Sequence, residues 1–260
     1  MTQSIATLLG EYRRLADSVV NYEFYNLVAL THHSTALEGS LLTLNETHTL
    51  LEKGLTAGGK PLEHHLMVTD HHQALTTVLR WAEAKTEITP ERIQQLGSLV
   101  MDKTGYRVKA PGGIYDIRRG EWRKGGVRAG SHIFPDYHGV PHMVEKFCQD
   151  FSQRVTQAST VDQVYTAAFD AHFAFVSIHP FGDGNGRTSR LLMNYVQHYH
   201  GQPLSLVFVQ HRNAYVKAIE ASREVGSTGP IRKFLYAQLA RHLRAEIKFL
   251  TIPPRSLPKS

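Results

Sequence analysis

Apolar positions recur at helical spacing through most of this chain. In residues 1–33, Leu8, Leu9, Tyr12, Leu15, Val19, Tyr22, Leu27 and Leu30 fall mostly three or four apart, the pattern of helices that bury one face. The next segment, STALEGSLLTLNETHTLLEKG, reads as helix, break, helix. Gly39 interrupts it, and Thr43 is placed to cap the second piece. LTAGGKP (55–61) is a turn-rich loop, and HHLMVTDHHQALTTVLRWAEAK is helical again. Thr89-Pro90 then supplies an N-cap and an N1 proline for ERIQQLGSLVMDK.

Between about 103 and 142 the helical period disappears, and Gly, Pro and short alternating pieces take its place. GVRAGSHIFP reads as a small β-hairpin with Ala129-Gly130 near its turn. A loop of this length inside a compact domain is usually functional. Helices resume at VEKFCQDFSQRV, VDQVYTAAFDAHFAFVSI, SRLLMNYVQHYH, NAYVKAIEASRE and GPIRKFLYAQLARHLRAEIKFL, and PPRSLPKS reads as a disordered tail. The expectation is a mostly α protein with one small β insertion.

Composition narrows the function classes. Hydrophobic residues make up 42% and charged residues 20% of the chain, which suits a soluble globular protein rather than a disordered one. The net charge of +6 suits an anionic ligand such as a nucleotide, but Lys and Arg are scattered, so nucleic acid is not the expected partner. Cys148 is the only cysteine, which excludes an intrachain disulfide and fits a reducing compartment. MTQSIATLLGEYRRLADSVV lacks the basic start and apolar core of a secretory leader, and no apolar run approaches the roughly 20 residues of a membrane span. A cytoplasmic location without a membrane partner is expected. Of the sixteen histidines, six form adjacent pairs, which diverge on a helix and make poor metal ligands; structural roles are expected for most.

The chemistry concentrates in HPFGDGNGRTSR (179–190). Pro180 ends the preceding helix, so His179 sits at a helix C-terminus, and the next helix begins near Asn185–Arg187. Between them GDGNG can turn successive backbone N–H groups inward, an anion-binding arrangement at a helix N-terminus. Arg187 and Arg190, three apart, share a helix face and can grip one polyanion. Asp183 is the loop's only carboxylate, and beside phosphates it suits a Mg²⁺ ligand. His179 can accept a proton near neutral pH, and Phe181 reads as an apolar anchor. Together these residues describe phosphoryl or nucleotidyl transfer. A glycine-rich connection whose polar residues only cap helices is the competing reading of the residues alone.

HPFGDGNGRTSR matches every defining position of the Fic-family signature HPFx[DE]GNGRxxR, and the flanking helices and hairpin resemble that family over roughly 85–250. The resemblance implies a Fic (Fido) helical domain with a β-hairpin flap at 85–250, an N-terminal helical region at 1–84 and a flexible tail at 251–260. It implies transfer of AMP from ATP to a Ser, Thr or Tyr hydroxyl of a target protein, with release of pyrophosphate. His179 would be the base and Asp183 the Mg²⁺ ligand. Gly184, Asn185, Gly186 and Arg187 would cradle the phosphates, and Arg190 would meet the γ-phosphate. One tension follows: a helix C-terminus favours the charged imidazole, whereas Arg187, Arg190 and Mg²⁺ oppose it. The stretch Val127–Phe134 resembles the family's target-docking flap, with a loop closing over the nucleotide as the alternative. In HRNAYVKAI, Tyr215 and Arg212 fall where relatives place contacts to the nucleotide base, though Tyr215 reads equally as a packing residue.

STALEG (34–39) on its own reads as a Schellman-type helix stop at Gly39. Within a Fic-like chain it matches the family's inhibitory pattern [ST]xxxE[GN], here Ser34, Glu38 and Gly39. The resemblance implies that Glu38 pairs with Arg190 where the γ-phosphate should bind, with Ser34 steadying the helix end, so that the resting protein is mostly inactive. In some relatives the matching glutamate also supports removal of AMP. Transfer of UMP, phosphocholine or the γ-phosphate, as in the Doc branch, and nucleotide sensing without turnover are the alternative functions. Self-modification and a homodimer built on the first helices remain open.

Overall fold

A computed structural model describes residues 4–16, 22–130 and 132–251, without the side chains of Tyr22 and Glu23. Val19 and the PPRSLPKS segment lie outside the described residues. The described chain is mostly helical. In order come α1 (Ile5–Ala16), α2 (Tyr22–Ala36), α3 (Leu44–Lys53), α4 (Leu62–Glu83) and α5 (Pro90–Val100), then two hairpins. After these come α6 (Val140–Gln157), α7 (Val161–Ile178), α8 (Asn185–Tyr199), α9 (Arg212–Glu224) and α10 (Gly229–Thr251).

The caps follow the residue types. Thr43 accepts from the Glu46 amide at 3.2 Å while Glu46 reaches back to the Thr43 amide at 2.7 Å, a capping box that starts α3. Thr89 caps α5 through the Arg92 amide with Pro90 at the first position. α2 closes on a Schellman motif: the Ser40 amide donates to Thr35 and the Gly39 amide to Ala36, with Gly39 at φ 104°. The Gly-stop reading of STALEG is therefore correct as geometry.

The expected hairpin forms between β3 (Arg128–Ala129) and β4 (His132–Ile133), with Arg128 opposite Ile133. A second, longer hairpin precedes it, β1 (Arg107–Ala110) paired antiparallel with β2 (Gly113–Asp116). Both hairpins fall within the single expected β insertion, but only the second of them is read from the sequence. Strands of four residues carry too little alternation to be told from loop.

α7 and α8 are the central pair, and α4 lies along α8. α8 is buried almost throughout, with Leu191, Leu192, Met193 and Val196 all inaccessible. The N-terminal helices join this body: α1 packs on α10 and α2 on α4. Leu8, Leu9 and Tyr12 belong to the same core cluster as the α7–α8 side chains. That packing brings the end of α2 onto the start of α8. Among the described residues, no helix is long and apolar enough to cross a membrane.

Candidate active site

The loop between α7 and α8 is pinned from both ends. Phe181 is buried, stacks on Trp122 and contacts α5 at Gly97. Asn185 closes the loop on itself: its Oδ1 accepts from the Phe181 amide and its Nδ2 donates to the Phe181 carbonyl, both at 3.0 Å. The first bond of α8 runs from the Thr188 amide to the Gly184 carbonyl. The amides of Asn185, Gly186 and Arg187 therefore have no helical acceptor, the usual condition of a helix start and an anion-binding one. Gly184 holds the left-handed conformation that turns the chain into the helix.

His179 caps α7 with φ 54° and ψ 57°, a conformation that costs a non-glycine residue of order 1 kcal/mol or more. Its Nδ1 faces the Val176 carbonyl at 3.4 Å. A carbonyl only accepts, so the ring proton sits on Nδ1 and the lone pair on Nε2. The Phe134 ring stacks on the imidazole at 3.9 Å, and the Arg223 guanidinium lies 5.0 Å from the far partner, Phe134. Burial, aided by Arg123 and Arg223 and opposed by the Val176 carbonyl and Glu38, pushes the His179 pKa down to about 4. The tension posed by the helix end is resolved towards the neutral imidazole, chiefly by burial rather than by Arg187 and Arg190.

Arg190 is buried and meets the end of α2. Its Nε donates to Ser34 Oγ and its Nη2 to the Ser34 carbonyl, each at 2.9 Å, and Nη2 also donates to Glu38 Oε1 at 2.7 Å. Ser34 thus acts on the arginine itself, not only on its own helix end. Packing around Glu38 opposes its charge, but Arg190 outweighs this and holds the carboxyl below its usual range. A Cβ on Gly186 would lie 2.5 Å from Glu38 Oε1, so the carboxylate rests against the first turn of α8. The end of α2 is further tied to α9 by Arg212, whose Nε donates to the Leu37 carbonyl at 2.8 Å.

The remaining candidates lie around this contact. The Asn185 side chain is spent on Phe181, so only its backbone faces the nest. Arg187 is buried against α5, donating to the Val100 carbonyl at 3.2 Å and to Met101 Sδ, with Asp183 at 3.6 Å; its Nε has no partner. Asp183 is half exposed beside it and accepts from the Gly184 amide. Tyr215 is buried, with its hydroxyl 2.6 Å from His172 Nε2 and against Arg190, so its ring is a packing element under the site rather than an open face for a base.

Residues 87–197 match the Fic/DOC family. The chain belongs to the Fic/DOC family. Protein adenylyltransferase Fic of Drosophila erecta is 32% identical over 204 residues, 78% of this chain. The chain spans 38% of the length of that relative. A Fic domain-containing signalling protein of Bacteroides thetaiotaomicron shares the fold at TM-score 0.78 and 22% identity, covering 95% of this chain and 97% of that one. Fic-1 of C. elegans (residues 134–508) superposes at TM-score 0.71 and 22% identity, over 96% of this chain and 74% of its own. Two residues around the Fic motif carry no local sequence signal for their roles: Phe134 as the ring covering His179, and Arg123, which bonds the His179 carbonyl.

Proposed function

We propose that this Fic chain is a Mg²⁺-dependent protein adenylyltransferase held at rest by Glu38. The observation that carries the reading is the Glu38 carboxylate, 2.7 Å from Arg190 and packed against Gly186. An acidic side chain lying at a helix start and on a buried arginine occupies a position suited to a phosphate. Similarity to a protein adenylyltransferase at 32% identity supports ATP as the nucleotide and a protein as the acceptor.

The residues fit Mg²⁺ on chemistry. Asp183 offers one half-exposed carboxylate, and the unpartnered Arg187 Nε and open amides beside it suit phosphate oxygens. Mg²⁺ is commonly taken by one or two carboxylates plus substrate phosphates rather than by an all-protein cage. Among the described residues no cluster of three or more His, Cys, Asp or Glu is arranged for a metal. Bound through Asp183, the ion would neutralise phosphate charge.

His179 Nε2 would take the proton from a target Ser, Thr or Tyr hydroxyl. That oxygen would form a bond to the α-phosphorus as the bond to the bridging oxygen breaks, leaving AMP on the target and releasing pyrophosphate. The amides of Asn185, Gly186 and Arg187 would hold phosphate oxygens, and Arg190 would take the γ-phosphate once Glu38 withdraws. Positioning and charge neutralisation would supply most of the rate.

The test uses ATP labelled on either the α- or the γ-phosphate, with wild type, Glu38→Gly and Glu38→Gly/His179→Ala, and a lysate as a source of targets. Label from the α-position only, strongest in Glu38→Gly and lost with His179, is the expected result. Label from the γ-position only overturns adenylyl transfer in favour of a kinase-like reaction. Thermal stabilisation by ATP with no label from either position supports a nucleotide sensor instead.

A further inference from the structure

Arg123 is an inaccessible guanidinium whose hydrogen bonds all run to backbone carbonyls. Its Nε donates to His179 at 2.8 Å, its Nη1 to Gly125 at 2.9 Å and its Nη2 to Pro135 at 2.6 Å. Its own amide donates to the Pro180 carbonyl at 2.9 Å. Among the described residues no carboxylate lies within ion-pair distance of it, and Asp136 offsets its burial only through space; such a buried charge is costly, and an apolar side chain would fill the same space more cheaply. What the guanidinium adds is geometry: one rigid planar group reaches three acceptors at once. Two of them, Gly125 and Pro135, flank the β3–β4 hairpin, and the third belongs to the base.

The consequence reaches the imidazole. Phe134 precedes Pro135 and stacks on the His179 ring, and its amide donates to the Val127 carbonyl. We propose that Arg123 is a positioning residue: it clasps both ends of the hairpin loop to the His179 carbonyl, so that the base and the ring covering it are held as one unit. The left-handed turn at His179 and the burial that keeps it neutral both depend on that clasp. The charged and titratable groups facing His179 are Arg123 from the loop, Arg223 from α9 and Glu38 from beyond α2, with His132 of β4 edge-on to Phe134.

The clasp's bearing on turnover rests on the adenylyl-transfer reading; its effect on the imidazole does not. The test is the NMR titration of the His179 Cε1–H signal in the full chain, assigned by its loss in His179→Ala. Wild type is compared with Arg123→Lys, Arg123→Met and Phe134→Ala. His179 titrates near pH 4 in wild type. In both Arg123 variants and in Phe134→Ala it rises by about one pH unit or more, while His172 keeps its wild-type behaviour. Arg123→Lys retains the positive charge, so a rise there reports lost positioning rather than lost repulsion. An unmoved His179 in both Arg123 variants overturns the proposal. So does global unfolding of both, since a local clasp leaves the α7–α8 core intact. In the Glu38→Gly background, Arg123→Lys lowers kcat for α-label transfer about tenfold or more with KM for ATP little changed. A shifted titration with no transfer by Glu38→Gly itself supports the clasp and counts against adenylyl transfer.

Discussion

A histidine at a helix C-terminus is ordinarily biased towards its charged form, yet burial under Phe134 sends His179 the other way, down to about 4. In its proposed role as base, an imidazole that is already neutral would need no deprotonation at physiological pH. The rate of α-label transfer by Glu38→Gly is therefore expected to be flat between about pH 6 and 8, with its acid limb near 4. Initial rates across that range check this, and a limb centred near 6.5 would contradict the buried base. The same scale explains the division of labour between the two motif arginines. Arg187 is committed to the Val100 carbonyl and Met101, whereas Arg190 spends three hydrogen bonds on Ser34 and Glu38. Of the two, Arg190 therefore hydrogen-bonds the α2 terminus, whereas Arg187 acts on Glu38 by charge alone.

At the scale of elements, the end of α2 decides where Glu38 lies, and Gly39 decides how α2 ends. Gly39 sits at φ 104° with open space around it, so alanine there is penalised by backbone conformation alone. Gly39→Ala is expected to weaken the closed arrangement by about 1 kcal/mol and to raise basal transfer about fivefold. His179 titration should not change; a rate equal to wild type would separate the stop from the inhibition. Much of this was legible in the sequence because it is local. The helices follow from apolar spacing, the α3 and α5 starts from Thr43 and Thr89-Pro90, and the motif loop from its own residue order. The β1–β2 hairpin was not legible, since four-residue strands define no period. Nor were contacts made across the chain. Arg123 meets His179 from 56 positions away, and Tyr215 meets His172 from 43. Nothing in either neighbourhood announces its partner, and Tyr215 therefore reads from sequence equally as a nucleotide contact and as a packing residue.

Across the whole molecule, buried neutral histidines make stability depend on acid. His172 is held down to about 3 by burial and then by Arg190, His71 is pushed well down by burial and then by Arg190 and Arg187, and His179 reaches about 4. All three lie below the unfolded value of 6.5, so between these limits the unfolded chain binds more protons and stability rises with pH. Chemical denaturation should show little change above about pH 7.5 and a loss on the order of several kcal/mol from 6.5 down to 4. A flat profile across that window would contradict the buried assignment. α1 packs on α10 and α2 on α4, in the same core as α7 and α8, so the proposed restraint would draw on the packing of the N-terminal helices. The most direct measurement is the initial rate of α-label transfer by Glu38→Gly relative to wild type at saturating ATP and Mg²⁺. A rise of about tenfold or more, corresponding to about 1.4 kcal/mol held in the closed state, is the predicted result. Equal rates would mean that the Glu38–Arg190 pair does not restrain the enzyme.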